Sequence, residues 1–184
     1  LTLQLAAARV RAGSRVLLVS AEESAAQVRL RAERLGAVHD GLWLANDTSI
    51  EAIVSHLDEL QPDLLIVDSV QPVHLGAESG GPGSISQVRS SAQRLVSEAK
   101  TRSLATVLVG HLTKDGSLAG PKTLEHVVDT VAELTGDRHH ALRMLRIVKH
   151  RFGPTDEIGL FSMDADGLQS VADPSRLFLA DRAI

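Results

Sequence analysis

Three apolar runs in this chain end in side chains that can do acid–base or metal chemistry. Arg15-Val16-Leu17-Leu18-Val19-Ser20 leads into Glu22 and Glu23. Leu64-Leu65-Ile66-Val67 leads into Asp68 and Ser69, and Ala105-Thr106-Val107-Leu108-Val109-Gly110 leads into His111. Continuous rather than alternating apolar runs belong to strands covered on both faces, as in a parallel sheet. The carboxyl ends of such strands are where open α/β sheets bind ligands. If the three strands are neighbours, all these groups share one crevice. One carboxylate there can polarise a water, another can hold a divalent cation, and His111 can sense a phosphate. Blander readings compete. Asp68 can simply start a turn, Glu22 and Glu23 can be acids at a helix N-terminus, and His111 can be an ordinary polar residue after a strand.

Two cations stand apart from that set. Lys149 and Arg151 are two residues apart, and on an extended segment they project to the same side. Followed by Phe152-Gly153, they can clamp a phosphate on a neighbouring subunit or merely protect an edge strand with charge. His139-His140 beside Asp137 offers no further ligand at a recognisable metal spacing and reads as a turn. Asp164-Ala165-Asp166-Gly167 resembles the start of a calcium loop, but Ser175 stands where the closing acidic ligand belongs. A hairpin turn fits it better.

The elements that must position these groups follow from periodicity and caps. Leu1, Leu5, Ala8 and Ala12 fall at helical spacing before Gly13. Ser24-Ala25-Ala26-Gln27 is a capping box opening a helix through Val28, Arg31 and Leu35. Leu42–Ala45 is a short strand. Thr48-Ser49-Ile50-Glu51 reads as a second capping box, for a helix with Ile50, Ile53, Val54 and Leu57 on one face and a stop at Pro62. Residues 69–83 form a long Gly- and Pro-containing loop, the kind usually kept for function. Ser84 caps a long helix with Val88, Ala92, Leu95 and Ala99 inward, and Ala105–Gly110 is another buried strand. A second polar loop runs from Leu112 to Lys122. Short strands then follow over Val128–Leu134, Leu142–Lys149, Ile158–Met163 and Leu168–Val171. The pattern is βαβαβ first and an antiparallel meander second: an α/β chain whose mainly parallel, helix-flanked sheet has an antiparallel hairpin extension at its C-terminal edge.

The bulk composition narrows the options. The 184 residues are 43% hydrophobic and 23% charged, as in ordinary globular domains. A net charge of −4 excludes a strongly basic nucleic-acid binder, so any DNA contact must use a local patch. With aromatics at 2%, one Trp and no Tyr, extensive base stacking is not expected. The absence of cysteine excludes disulfides and thiolate metal sites, which fits a cytoplasmic protein. No apolar run approaches the roughly 20 residues of a membrane span, so no membrane partner is expected. The chain opens inside a helical pattern without Met, as a fragment would. It reads as a single domain over 1–184 truncated at both ends, with a βα core over 1–127 and antiparallel edge strands over 128–175.

In combination these stretches resemble the RadA (Sms) family of bacterial RecA-like ATPases. The resemblance rests on Val19–Ser24, Gln27–Gly36, Asp63–Val70, Pro82–Arg89, Gly110–Gly116, Ala119–Thr130 and Lys149-His150-Arg151-Phe152-Gly153-Pro154. It covers essentially the whole chain. The last motif is the family's Lys-Asn-Arg-Phe-Gly signature with His150 in place of Asn. The resemblance implies a RecA-like P-loop NTPase fold and an ATP-driven ring, typically hexameric. Such a ring helps process recombination intermediates by branch migration on single-stranded or branched DNA, beside a RecA-type recombinase. By analogy Glu22 is the water-activating base and Asp68 holds Mg²⁺, directly or through water. Ser69 belongs to the same nucleotide site, His111 is the sensor, and Lys149 and Arg151 act across the subunit interface. The loops 69–83 and 112–122 would face the ring channel, with Arg89, Lys114 and Lys122 as candidate DNA phosphate contacts.

The chain also departs from the family pattern. A G-x-x-x-x-G-K-[ST] loop does not occur in these 184 residues. In the family it lies just before a helix like residues 1–12, with Thr2 near its C-terminal flank and so near the cofactor. The chain as written is therefore expected to bind ATP weakly or not at all. The family's four-Cys zinc module and its Lon-protease-like domain are also outside the sequence. An alternative is a non-catalytic RecA-like module for DNA binding or assembly. A KaiC-like ATPase shares the paired glutamates but not the Lys149–Gly153 signature.

Overall fold

The structure is a computed structural model and describes residues 1–76, 83–111, 124–136 and 142–171. Two compact units divide it, Thr2–Val128 and a second beginning at Asp129.

The first unit is a parallel sheet between two helical layers. Its elements are α1 (Thr2–Arg11), β1 (Val16–Ser20), α2 (Ala25–Arg34), β2 (Leu42–Ala45), α3 (Ile50–Leu60), β3 (Leu64–Asp68), α4 (Ile85–Arg102) and β4 (Ala105–Leu108). The strand order is β2-β1-β3-β4, all pairs parallel. Alternate residues of the two central strands feed two separate cores, as the period-2 geometry of a strand requires. Leu17, Val19, Leu65 and Val67 pack with Ile50, Ile53 and Leu57 of α3 and Val88, Ala92 and Leu95 of α4. Val16, Leu18, Leu64 and Ile66 pack with Leu3, Ala6, Ala7 and Val10 of α1 and Val28 and Ala32 of α2. β1 and β3 are thus covered on both faces, as their continuous apolar runs predict.

Several local expectations need correction. The inward face of α1 is Leu3, Ala6, Ala7 and Val10, not Leu1, Leu5, Ala8 and Ala12; Leu1 and Leu5 are exposed. Both sets have helical spacing, and a helix rich in Leu and Ala all round does not declare its buried stripe. Gly13 ends it with φ +89, a conformation glycine adopts without steric cost. The α2 capping box is present as expected, with Ser24 accepting from the Gln27 N–H and Gln27 reaching back to the Ser24 N–H. At α3, however, the N-cap is Ser49 and not Thr48. The Thr48 carbonyl accepts from the His74 N–H at 2.8 Å, and the His74 carbonyl accepts from the Ile50 N–H at 3.1 Å. That isolated bridge, between Ser49 and His74, keeps Ser49 extended as the N-cap, so the helix starts one residue later, at Ile50.

β4 is not a buried strand. Ala105 is exposed and Thr106, Val107 and Leu108 are only half-buried, because β4 pairs with β3 alone among the described residues. The segment after β3 is not simply an open loop either. Val70 and Val73 are fully buried in the α3/α4 core. The Ser91 hydroxyl donates to the Val73 carbonyl at 2.9 Å, and the Gln87 side chain bonds both the N–H and the carbonyl of Leu75. Only 77–82 of that stretch lie outside the described residues.

The second unit is an antiparallel meander of β5 (Thr130–Gly136), β6 (Leu142–His150), β7 (Ile158–Asp164) and β8 (Gly167–Ser170), in that order in one sheet. The pairing of β5 with β6 shifts register between Val131 and Ala132, opposite Val148, which is a β-bulge. Asp164-Ala165-Asp166-Gly167 is a hairpin turn, with Asp164 paired to Gly167 and the Asp164 carboxylate accepting from the Asp166 N–H at 2.9 Å. The His139-His140 turn and Ser175 fall outside the described residues.

Candidate active site

The carboxyl ends of β1 and β3 are adjacent because the two strands pair in register, Ser20 opposite Asp68. The ladder continues past both strands: the Ala21 N–H donates to the Asp68 carbonyl at 2.9 Å. It also continues toward β4, with Val109 donating to Val67 and Val70 donating to Val109, each at 2.9 Å. These bonds bring Glu22, Asp68, Ser69 and His111 to one rim. Every group expected at that rim from the three strand ends is there.

The side chains interlock. The Ser69 hydroxyl, fully buried, donates to Glu22 Oε1 at 2.5 Å. His111 Nε2 lies 3.4 Å from the other Glu22 oxygen. Thr2, in the first turn of α1, donates its hydroxyl to Asp68 Oδ2 at 3.0 Å. The Asp68–Ser69 peptide bond is cis. Thr2, Ser20, Glu22, Asp68 and His111, among others, line an open cleft of about 160 Å³. Glu22 and His111 remain about half exposed, with 43% and 59% of their side-chain surface accessible, so solvent reaches the acid.

The two consecutive glutamates have different surroundings. Glu23 forms a two-pronged ion pair with the Arg31 guanidinium, which reaches back from α2 into the same cleft. Arg31 Nε is buried without a hydrogen-bond partner among the described residues. Glu23 is therefore neutralised locally, whereas Glu22 faces a hydroxyl and an imidazole.

Among the described residues no cluster of three His, Cys, Asp or Glu side chains could hold a metal ion. The donor set at the rim instead suits Mg²⁺, which takes one or two carboxylates and completes its shell with phosphate and water oxygens. Asp68 with the neighbouring Thr2 hydroxyl is a hard-oxygen pair of that kind.

Arg89 is exposed in the second turn of α4. Lys114 and Lys122 fall outside the described residues. Lys149 is half-buried near the end of β6, just beyond the bulge at Val148. Arg151 follows that strand and is held by Asp129, its N–H on the Asp129 carbonyl at 3.0 Å and its guanidinium on the carboxylate at 2.8 Å. His150 hydrogen-bonds Thr130 through Nδ1 at 2.8 Å and meets the Phe152 ring edge-on at 6.1 Å. A Cβ on Gly153 would stand 3.0 Å from the His150 ring, so a larger residue there would press on it. Phe152 is 79% exposed.

Sequence reasoning missed three contributors to the rim: Asn46, Ser20 in its side-chain role, and Arg31. Asn46 had a readable signal. It follows the last residue of β2, and a polar side chain leaving a third parallel strand arrives at the same rim.

No family model matches the chain. Its sequence is 49% identical over 167 residues to the DNA repair protein RadA of Streptococcus pneumoniae, covering 91% of this chain and 40% of that protein. The RadA of Brucella abortus is 47% identical over 184 residues, 97% of this chain and 39% of that protein. This chain belongs to the RadA family. The RadA of Halalkalibacterium halodurans, 45% identical over 183 residues, aligns with 100% of it. The chain spans 37–40% of the length of these and similar RadA relatives. No helix among the described residues is long and apolar enough to cross a membrane.

Proposed function

We propose that this chain is the ATP-hydrolysing core of a DNA-repair motor that acts on single-stranded or branched recombination intermediates. The observation that carries the reading is the meeting of Glu22 and Asp68 at one rim, on in-register neighbouring strands, beside Thr2 and His111. The names of its RadA relatives supply the DNA-repair context.

In this reading the nucleotide's phosphates enter the cleft against the N-terminus of α1, whose first-turn N–H groups and dipole favour anions. The phosphate-cradling loop is expected immediately before that helix in the full-length protein. Asp68, with the Thr2 hydroxyl alongside, would hold the Mg²⁺ that accompanies ATP, directly or through water. When bound, the ion would neutralise charge on the phosphates. Glu22 accepts the proton of the attacking water as the water oxygen adds to the γ-phosphorus and the bond from that phosphorus to the β–γ bridging oxygen breaks, so that ADP leaves and inorganic phosphate forms. The Ser69 hydroxyl fixes the Glu22 carboxylate by donating to one of its oxygens, leaving lone pairs for the water. His111, at the mouth of the cleft and in reach of Glu22, senses the γ-phosphate and relays its presence toward 112–122.

DNA, with Arg89, Lys114 and Lys122 as phosphate contacts, and a homo-oligomeric ring, probed by Lys149 and Arg151 from one subunit to the next, complete the proposal. Arg151 would then exchange Asp129 for a phosphate. The test is ATP turnover by the full-length protein. Glu22→Gln is expected to abolish hydrolysis while ATP binding persists, and Asp68→Asn to weaken Mg²⁺-dependent binding. Wild-type turnover by Glu22→Gln refutes the base assignment. Full-length wild-type protein that binds DNA but never hydrolyses ATP establishes the non-catalytic alternative.

A further inference from the structure

We propose that Asn46 is a positioning residue for hydrolysis, holding the turn that presents Glu22. Glu22 lies in the stretch Ser20–Glu23, which turns from the last residue of β1 to the Ser24 cap of α2. The Asn46 side-chain nitrogen donates to the Ser20 carbonyl at 2.8 Å and to the Glu23 carbonyl at 2.9 Å. It thus bridges the first and last carbonyls of the turn, with Glu22 between them. Two acceptors at one end of the amide identify that end as the NH₂ group, because the amide oxygen cannot donate. The Ser20 hydroxyl adds a second clasp, donating to the Glu23 carbonyl at 2.8 Å.

Glu22 needs such support. Its carboxylate is half exposed, and its polar partners among the described residues are Ser69 and His111, both on the β3 and β4 side of the rim. The backbone of its own turn is the other determinant of where the carboxylate stands. Hydrolysis depends on placing the acid against a water to within about 1 Å, and a displacement of that size costs up to about 100-fold. Asn46 contributes no lining to the cleft. Its loss should therefore change how well bound ATP reacts and not how well ATP binds.

The inference rests on Glu22 being the base, so the experiment includes Glu22→Gln as a reference. Steady-state ATPase rates, equilibrium ATP binding and thermal melting are measured on the full-length protein and its Asn46→Ala and Asn46→Ser variants. Asn46→Ala should lower kcat about 10- to 100-fold, with the ATP dissociation constant within about twofold of wild type. Asn46→Ser can donate to one of the two carbonyls and should lose less, and it carries the test if Asn46→Ala does not fold. An inactive Glu22→Gln beside wild-type kcat in both Asn46 variants overturns the positioning role and leaves the ATPase reading intact. Weakened ATP binding that matches the loss in kcat also overturns it, since a merely structural collapse would do that. Full turnover by Glu22→Gln overturns the ATPase reading itself, and the positioning role with it.

Discussion

The parallel unit and the antiparallel meander use their strands in opposite ways. In the parallel unit β1 and β3 are dry on both faces, with Val16, Val19, Leu65, Ile66 and Val67 at 0–1% exposure. Side chains along such strands are committed to packing, and chemistry is left to the residues just past their carboxyl ends. In the meander, Leu168 is the only buried large apolar side chain of the described strands, and Leu134, Met144, Val148, Ile158 and Met163 are exposed. Chemistry there has to come from the surface, in the Lys149–Gly153 stretch. A site at the end of a dry strand is rigid because the core holds it; a site on a half-wet sheet is held by individual pairs such as Arg151 with Asp129.

The sharpest way to break this contrast is truncation in each unit. Ile66→Ala should destabilise the parallel unit by about 2–5 kcal/mol, and Met144→Ala should cost within about 0.5 kcal/mol. Urea unfolding followed by circular dichroism measures both, and equal losses would erase the distinction. A smaller effect is expected at Arg151. Its pair with Asp129 is 45% exposed on each side, so Arg151→Ala should cost at most about 1 kcal/mol. A large loss of stability would make Arg151 a structural residue and weaken its role toward a neighbouring subunit.

The smallest effect sharpens the picture at the far end of the parallel sheet. Asp63 accepts from the Arg15 N–H at 2.7 Å, which, with the Arg15 charge, holds its carboxyl below the ordinary value of 3.8. A depressed folded pKa stabilises the fold above the unfolded value, and that stabilisation is lost as pH falls through the folded one. Wild type should therefore exceed Asp63→Asn by a constant margin near neutral pH, with the margin shrinking as pH falls below 3.8. Acid titration of the unfolding midpoint reads it, and a margin that stays constant into the acid range rules out this linkage.

The legible part of the site was considerable. Glu22, Asp68 and His111 could be assigned to one crevice from three apolar runs, since in parallel strands the last apolar residue marks the rim. The hairpin turn at Asp164–Gly167 was equally readable. Less legible was anything that depends on a distant partner. Thr48 has the right neighbours for an N-cap, yet His74, far along the chain, takes its carbonyl. The stretch after β3 has the Gly and Pro content of a loop, but Ser91 and Gln87 of α4 fold its first half onto the core.

Taken alone, the amino-acid order determined the elements, most of their caps and the family, because periodicity and capping act within a few residues. Only the tertiary structure decided which stripe of α1 is buried, that β4 is half exposed, and that Asn46 and Arg31 join the acids at the rim. Those outcomes depend on strand order and on contacts between residues far apart in sequence, and no local pattern carries that information.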